Sequence, residues 1–403
     1  MRNQNQGKNY LLSFLFLILA VGLIVDSAIA EQIRINIGLS SKRSATDVES
    51  VIAYHGGRKV TEISAINVVN YTIPEEAFEE VKSKLLKSSA TFIEKDQIMT
   101  IPTTIPTEPD YTFQGAPNDP GYTLQWGPEC IDAELAWDYE NLYVHPNLIV
   151  AVVDTGVDLD HPDLVNQVDT SIDYDFVNND AVAMDDNGHG THCAGIIAAE
   201  MNNGIGVAGL QDITIMAVKG LDQYGSGYTS TLAQCLIYAA DNGAKVISNS
   251  WGGYGSSVTL AIATYYAFSE GAVVVAAAGN DGISQLHYPS AYPWVIGVAA
   301  LEDCTNRASW SNYGQQNVFI SAPGEDILST LWNNTYTYMN GTSMACPHVA
   351  GVAAMWIGAY APYVSLTPLQ VIYLLAFTAD DLGTPGYDEY YGWGRVDMFP
   401  WAD

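Results

Sequence analysis

Three short strings hold residue types that together could perform nucleophilic chemistry. Asp154 lies in Val152-Val-Asp-Thr-Gly-Val157, His189 opens His-Gly-Thr-His-Cys-Ala-Gly195, and Ser343 lies in Gly341-Thr-Ser-Met-Ala-Cys-Pro-His-Val-Ala-Gly351. A serine hydroxyl attacks a carbonyl poorly until a neighbouring base takes its proton, and an imidazole base needs a carboxylate to fix its tautomer. Asp154, His189 and Ser343 supply one of each. Rival chemistries fit less well. An aspartic protease would be expected to carry a second Asp-Thr-Gly, and this chain has one. An esterase of the α/β-hydrolase type needs a Gly-x-Ser-x-Gly elbow and the order Ser, Asp, His, whereas the serine here comes last. Cys193 and Cys346 follow His189 and Ser343 by one helical turn and read as buried small hydrophobes.

The elements that must position these residues are legible around them. Asp154 ends the apolar run Leu148-Ile-Val-Ala-Val-Val153, which places it at the carboxyl edge of a buried strand. His189 and Ser343 each open a small-residue apolar segment that reads as a helix. A helix start offers free backbone N–H groups and positive dipole, so the Ser343 N–H is a candidate donor to a developing oxyanion. Pro347 is expected in the first turn of that helix, where few amide bonds are lost. Continuous apolar runs at 148–153, 213–218, 244–248 and 272–277 alternate with helical segments. That alternation predicts a doubly wound α/β domain, a parallel sheet with helices on both faces, whose functional groups gather at strand carboxyl ends.

Composition and charge divide the chain further. Its 403 residues, 48% of them hydrophobic, suffice for one large core and a smaller unit. Arg2 and Lys8 precede an apolar stretch from about Leu11 to Val25 and then Ser27-Ala28-Ile-Ala30, the pattern of a secretory signal peptide over 1–30. That stretch is short for a retained membrane anchor, so a secreted chain with no membrane attachment is expected. Residues 31–100 read as a small α+β unit, with a strand at Ile33–Ile37 and a helix capped at Thr72. Residues 101–115, rich in Pro and Thr, read as an exposed linker, and 116–403 as the main domain. Residues 1–100 carry 11 Lys+Arg and 11 Asp+Glu, whereas 101–403 carry 4 and 34, so the whole net charge of −30 falls in the second part. Nucleic acid is excluded as a partner, because phosphate contacts need Lys and Arg. The five cysteines show no Cys-x-x-Cys spacing suggestive of zinc.

With Ala276-Ala-Ala-Gly-Asn280-Asp-Gly between the histidine and serine strings, these motifs resemble those of the subtilisin-like serine proteases, the subtilases, whose order is also Asp, His, Ser. The resemblance runs from about Ala116 to Tyr391-Gly-Trp-Gly-Arg-Val-Asp397. It implies a subtilisin-like endopeptidase that forms an acyl-enzyme on Ser343, with the Asn280 amide and the Ser343 N–H holding the oxyanion. It assigns the base to His189 and leaves His192 structural. Residues 91–98 resemble the closing strand of the family's propeptide. That implies an inhibitory propeptide over 31–100, acting as an intramolecular partner and self-cleaved between about Thr100 and Gln114.

Polypeptide substrates would add as a strand between Gly225-Ser226-Gly227 and Ser250-Trp251-Gly252-Gly253, where glycine permits close backbone approach. Ser250–Gly253 and Ala277–Gly279 would wall the main specificity pocket, with Asp281 at its rim and His287 at its floor. A structural calcium would be held by Asp119, Asp163, the Asn203 side chain and the carbonyls of Met201, Ile205 and Val207. A second calcium could use Asp175, Asn178 and Asp180. The family's fold brings the regions of Cys130 and Cys304 together on the surface, making them the best candidate disulfide, and a monomer is expected. A non-catalytic protein on the same scaffold is disfavoured, since Asp154, His189, Asn280 and Ser343 are all present.

Overall fold

The structure, a computed structural model, describes residues 31–41, 44–101, 117–138 and 144–399. The signal segment 1–30 and the linker from 102 to 115 lie outside the described residues. The chain divides into two compact units between Lys95 and Asp96.

The first unit is an antiparallel sheet with two helices. Its strands are β1 (Gln32–Leu39), β2 (Arg58–Ile63), β3 (Val68–Pro74) and β4 (Ala90–Lys95), in the order β2-β3-β1-β4. Helices α1 (Ser44–Tyr54) and α2 (Phe78–Leu85) supply Val48, Ile52, Val81 and Leu85 to a core with Ile35, Ile37, Val69, Tyr71 and Ile73. Asn36 and Asn70 face each other in the β1–β3 register and share a 2.8 Å hydrogen bond, so the buried amides satisfy one another. The expected cap at Thr72 is not found. Thr72 is paired with both Arg34 and Arg58 in the sheet, and the ladder carries the strand on to Pro74. Helix α2 starts only at Phe78, with Glu79 and Glu80 in its first turn favoured by the helix dipole.

The second unit is built on seven parallel strands. These are β6 (Val144–Asp154), β7 (Tyr174–Asp175), β8 (Asp212–Lys219), β10 (Val246–Asn249), β11 (Val273–Ala277), β12 (Val295–Leu301) and β13 (Ile320–Pro323), ordered β13-β12-β11-β10-β6-β8-β7. Strands β11 and β12 are buried at every residue, which is why their sequences are apolar without alternation. Two short antiparallel pairs complete the unit: β5 (Ile98–Thr100) with β9 (Ser226–Tyr228), and β14 (Ile327–Leu331) with β15 (Thr335–Met339).

The helices are α3 (Trp126–Cys130), α4 (Ala133–Trp137), α5 (His189–Ala198), α6 (Thr229–Asp241), α7 (Val258–Ser269), α8 (Thr342–Tyr360) and α9 (Pro368–Thr378). Helix α8 packs against β6 and β10 to β13, and every residue from Thr342 to Trp356 is buried, so it is apolar all round. Pro347 is the sixth residue of α8, in the second turn rather than the first. The carbonyl it leaves without an amide partner is that of Ser343, four residues back. That carbonyl is taken instead by the Ser250 hydroxyl at 2.8 Å and the Cys193 thiol at 3.5 Å. Among the described residues no helix is long and apolar enough to cross a membrane.

Candidate active site

Asp154, at the carboxyl end of β6, and His189, the first residue of α5, meet directly. Nδ1 of His189 lies 2.7 Å from Oδ1 of Asp154, and both side chains are buried. Gly190 makes the approach possible. A side chain there would overlap the Gly156 carbonyl and stand 3.1 Å from Cβ of Asp154. Burial opposes charge on His189, but the adjacent Asp154 carboxylate outweighs it and holds the imidazole well above its ordinary range. The other ring nitrogen, Nε2, is buried and has no protein partner. His192 is different in kind: its Nε2 contacts the Thr337 carbonyl at 3.1 Å, and burial pushes it down to about 3.

Ser343 is the second residue of α8. Its hydroxyl donates to the Ser250 carbonyl at 3.0 Å, and no hydrogen bond to His189 occurs among the described residues. The thiol of Cys193 bridges the two elements, 4.0 Å from His189 Nδ1 and 3.5 Å from the Ser343 carbonyl. Asn280 follows β11. Its Oδ1 accepts from the Thr342 amide at 2.9 Å and the Thr342 hydroxyl at 2.8 Å, which orients the amide. Its Nδ2 is left buried and unpartnered. A methyl group on Gly341 would stand 3.1 Å from this Nδ2 and 3.4 Å from the Ser343 backbone nitrogen. The two nitrogens therefore converge on one small region, suited to an oxygen that carries developing negative charge.

Three further residues hold this arrangement; sequence reasoning missed Asp185 and Lys219 and gave Ser250 only a place in the substrate groove and pocket wall. The Asp185 carboxylate accepts from the Thr155 hydroxyl (2.8 Å), the amides of Asn187, Gly188 and Thr191, and the Thr191 hydroxyl (2.6 Å). It thereby ties the end of β6 to the start of α5. Lys219 ends β8 opposite Asp154, and its fully buried Nζ donates to the Thr155 carbonyl and to Asp186, each at 2.6 Å. Ser250 serves Ser343 through both its carbonyl and its hydroxyl. Asp185 lies four residues before the start of α5, and the N-cap position itself is Gly188, so the ordinary capping signal does not mark it. Nothing in the sequence marks Lys219 as buried.

A peptide strand already lies in the expected groove. Residues Ile98–Thr100 pair antiparallel with Ser226–Tyr228, and Thr100 exchanges two 3.1 Å backbone bonds with Gly252. The Ile101 amide donates to the Gly225 carbonyl at 3.0 Å. Met99 is buried in this position, close to Gly253. Asp96 anchors the strand's beginning by accepting from Thr229 Oγ1, Ser230 N and Ser230 Oγ at the start of α6. Gly225, Ser226, Gly227, Gly252 and Gly253 thus flank an extended backbone. Trp251 does so only through its main chain, because its ring is fully buried and donates to the Val153 carbonyl. His287 stands between the expected pocket walls. Its Nδ1 lies 3.2 Å from the Ala277 carbonyl, its Cε1 would block any side chain at Gly252, and a methyl on Gly279 would stand 3.1 Å from its Cδ2. Burial pushes it down to about 4, so it is neutral at ordinary pH. Tyr254 lies edge-on to it and bonds to Asp281.

The residues expected to hold calcium also converge. Asp119 accepts from the amides of Asn202, Asn203 and Gly204, and Asp163 accepts from the Val207 amide and from Asn203 Nδ2. Met201 and Ile205 lie on the same loop, where the Ile205 amide donates to Asn203 Oδ1. Two buried carboxylates face one site with no cationic side chain paired to them among the described residues. Burial, with a contribution from Asp119, pushes Asp163 up to about 6. An oxygen-rich, charge-deficient site of this kind fits a hard cation, although Asn203 as placed turns its NH2 toward Asp163. The second set is self-satisfied: Asp175 accepts from the amides of Val177 and Asn178 and from Asn178 Nδ2, and Asp180 from the Val182 amide.

The sequence pattern of the subtilase family matches residues 145–394. A thermophilic serine proteinase of Bacillus sp. (strain AK1) is 47% identical over 251 residues, 62% of this chain and 60% of that protein. Thermitase of Thermoactinomyces vulgaris is 47% identical over 270 residues, covering 67% of this chain and 92% of thermitase. The crystal structure of fervidolysin from Fervidobacterium pennivorans, described as a keratinolytic enzyme related to subtilisin, is similar with a TM-score of 0.79 at 30% identity, over 93% of this chain and 61% of fervidolysin. The chain thus spans about three-fifths of the Bacillus proteinase and of fervidolysin.

Proposed function

The chain belongs to the subtilase family, and from that membership we propose that it is a secreted serine endopeptidase made as a self-processed zymogen. Ser343 attacks the peptide carbonyl while Nε2 of His189 takes the hydroxyl proton and later delivers it to the leaving amine. Asp154 fixes the ring through Nδ1 and stabilises the imidazolium. Asn280 Nδ2 and the Ser343 N–H receive the oxyanion. The observation that carries this reading is the pair of buried polar atoms with no protein partner, Nε2 of His189 and Nδ2 of Asn280. Orphaned buried groups are costly, and a reacting acyl group entering the site would supply a partner to both.

The strand Ile98–Thr100 supports the zymogen reading, since it occupies the groove as a substrate backbone would. Residues 31–100 then act as the intramolecular inhibitor, and cleavage falls between about Thr100 and Gln114. Asp119, Asp163, Asn203 and the carbonyls of Met201, Ile205 and Val207 would hold a structural calcium, which would neutralise the two buried carboxylates and stiffen the 201–207 loop. Reaction with a fluorophosphonate probe tests the proposal. Ser343 should be modified, and Ser343→Ala should remain unmodified. Equal labelling of both proteins would remove Ser343 as nucleophile.

A further inference from the structure

We propose that Cys130 and Cys304 form a disulfide that staples the beginning of the second unit to the loop after β12, with Arg395 holding the pair together. Of the five cysteines, Cys193, Cys235 and Cys346 are fully buried. Cys193 lies beside His189, and Cys346 beside the Ser248 hydroxyl. Cys130, buried at the end of α3, and Cys304, partly exposed, are different. Their side chains interact with each other, and one guanidinium touches both residues. Nη1 of Arg395 stands 3.9 Å from Sγ of Cys130 and 2.8 Å from the Cys304 carbonyl.

The loop that carries Cys304 and the segment that carries Arg395 are each fixed independently of the thiols. Asp303 accepts from the amides of Thr305 and Asn306, and the Glu302 amide donates to the Asn306 carbonyl, so the loop that carries Cys304 is a closed turn. Arg395 exchanges backbone bonds with Asp380, and its guanidinium pairs with the Asp380 carboxylate. Arg395, anchored in this way, holds Cys130 and the Cys304 main chain against one guanidinium nitrogen, which keeps the two cysteines together.

The chemistry favours Cys304 as the attacking group. The bond from Cys130, and then the Arg395 charge, hold its thiol below the ordinary range despite burial, whereas Cys130 is held above it. The Cys304 thiolate attacks a low-molecular-weight disulfide, forming a mixed disulfide and releasing one small thiol. Cys130 then loses its proton and displaces the second small thiol as its sulfur bonds to Cys304. Overall the two cysteines lose two protons and two electrons, and the small disulfide gains both. The bond closes a loop of about 170 residues, which constrains the unfolded chain far more than a local bridge would.

The test does not depend on turnover. Full-length Ser343→Ala protein, purified without reductant, is denatured and alkylated before and after reduction. Three thiols should react before reduction and five after it, and peptide mass mapping should find Cys130 joined to Cys304. Reduction should lower the melting temperature by about 8 °C, and the Cys304→Ser variant should melt at the lower temperature with or without reductant. Five reactive thiols after incubation with oxidised glutathione, or a bridge to any other cysteine, would overturn the proposal. So would a melting temperature that reduction does not move.

Discussion

The two units use charge in opposite ways. In the first, Lys59–Glu62 and Lys95–Glu75 are ion pairs between side chains that stay about half exposed, and such pairs contribute little. Its fold rests on the apolar core between sheet and helices. The second unit has only four basic residues after residue 100, namely Lys219, Lys245, Arg307 and Arg395, against 34 acidic ones. Three of the four are tied into structure. Lys219 is buried under Thr155, Arg307 lies over the rings of Tyr313 and Tyr390, and Arg395 pairs with Asp380 beside two cysteines. Two of these few cations, Lys219 and Arg395, are paired with carboxylates in partly or fully buried positions. Removing a basic residue from the first unit should therefore be tolerated, and removing Lys219 or Arg395 from the second should not.

The largest expected effect concerns what one unit does to the other. Ser343→Ala should lower kcat by about 10⁶-fold, the loss measured for the nucleophile in subtilisin itself. If the second unit removes the first, the same variant should retain residues 31–100 in an intact-mass spectrum when expressed without other proteases. Normal trimming of Ser343→Ala would show that the units are separated by something else.

Lys219→Met against Lys59→Met sets the two uses of charge side by side. Removing a buried ammonium leaves the Thr155 carbonyl and Asp186 short of a donor, directly beside Asp154. Breaking a buried pair costs about 3–5 kcal/mol, and the partial exposure of Asp186 argues for about 2–3 here. Denaturant unfolding should show that loss, together with a drop in kcat. Lys59→Met should stay within about 0.5 kcal/mol of the parent. Equal effects would erase the contrast between the units.

Metal removal probes the same contrast. A calcium ion bound only by the folded second unit would stabilise it by about 2.7 kcal/mol at a hundredfold excess over Kd. Chelation should lower the melting temperature of the parent, and Asp163→Ala should largely remove that dependence. Superimposable melting curves with calcium and with chelator would remove the metal from the account.

Asp397 gives a smaller effect with a definite sign. Burial, with Asp380 and Asp132 adding to it, pushes its carboxyl up to about 7 in the folded protein, against about 4 when unfolded. Below pH ~4 both states are protonated and nothing is lost. Between pH ~4 and ~7 only the unfolded chain ionises, so stability falls as pH rises, and above ~7 the penalty is complete. Asp397→Asn keeps an acceptor for the Phe399 amide and removes the charge. It should therefore stabilise by about 2 kcal/mol at pH 8 and by almost nothing at pH 4. The same gain at both pH values would show that the effect is not ionisation.

How much was legible beforehand follows from the same physics. The positions of Asp154, His189 and Ser343 at element ends were legible from the apolar runs beside them, whereas Asn280 was marked only by the resemblance. The groove glycines were expected from the close approach of an added strand, and at Gly225 and Gly253 a side chain would indeed meet Ile101 and Met99 of the strand that lies there. Lys219 could not be read, since a lysine closing an apolar strand looks solvent-facing until Thr155 and Asp186 are seen to enclose it. The Thr72 cap failed because pairing with Arg34 and Arg58, both distant in sequence, outweighed a local signal. Pro347 was placed a turn too early because the helix begins at Thr342. Its real consequence, a freed Ser343 carbonyl held by Ser250, depends on a contact 93 residues away.

The smallest effect concerns selectivity rather than rate. His287 is buried between Gly252 and Gly279 with its ring against both expected pocket walls, and it is neutral at working pH. A neutral imidazole there would shorten the proposed pocket and give its floor a polar edge. Asp281 at the proposed rim, within a strongly acidic domain, would disfavour acidic side chains, with salt screening only the longer-range part of that field. Broad cleavage is expected, with Asp and Glu poor immediately before the scissile bond. His287→Gly should lengthen the pocket and raise the kcat/KM ratio of large apolar to small side chains by about tenfold, the scale of one or two buried methylenes. Activity on the best small substrate should change little. Profiling both proteins on one peptide library decides the matter, and indistinguishable profiles would mean that the ring forms no part of the pocket a substrate feels.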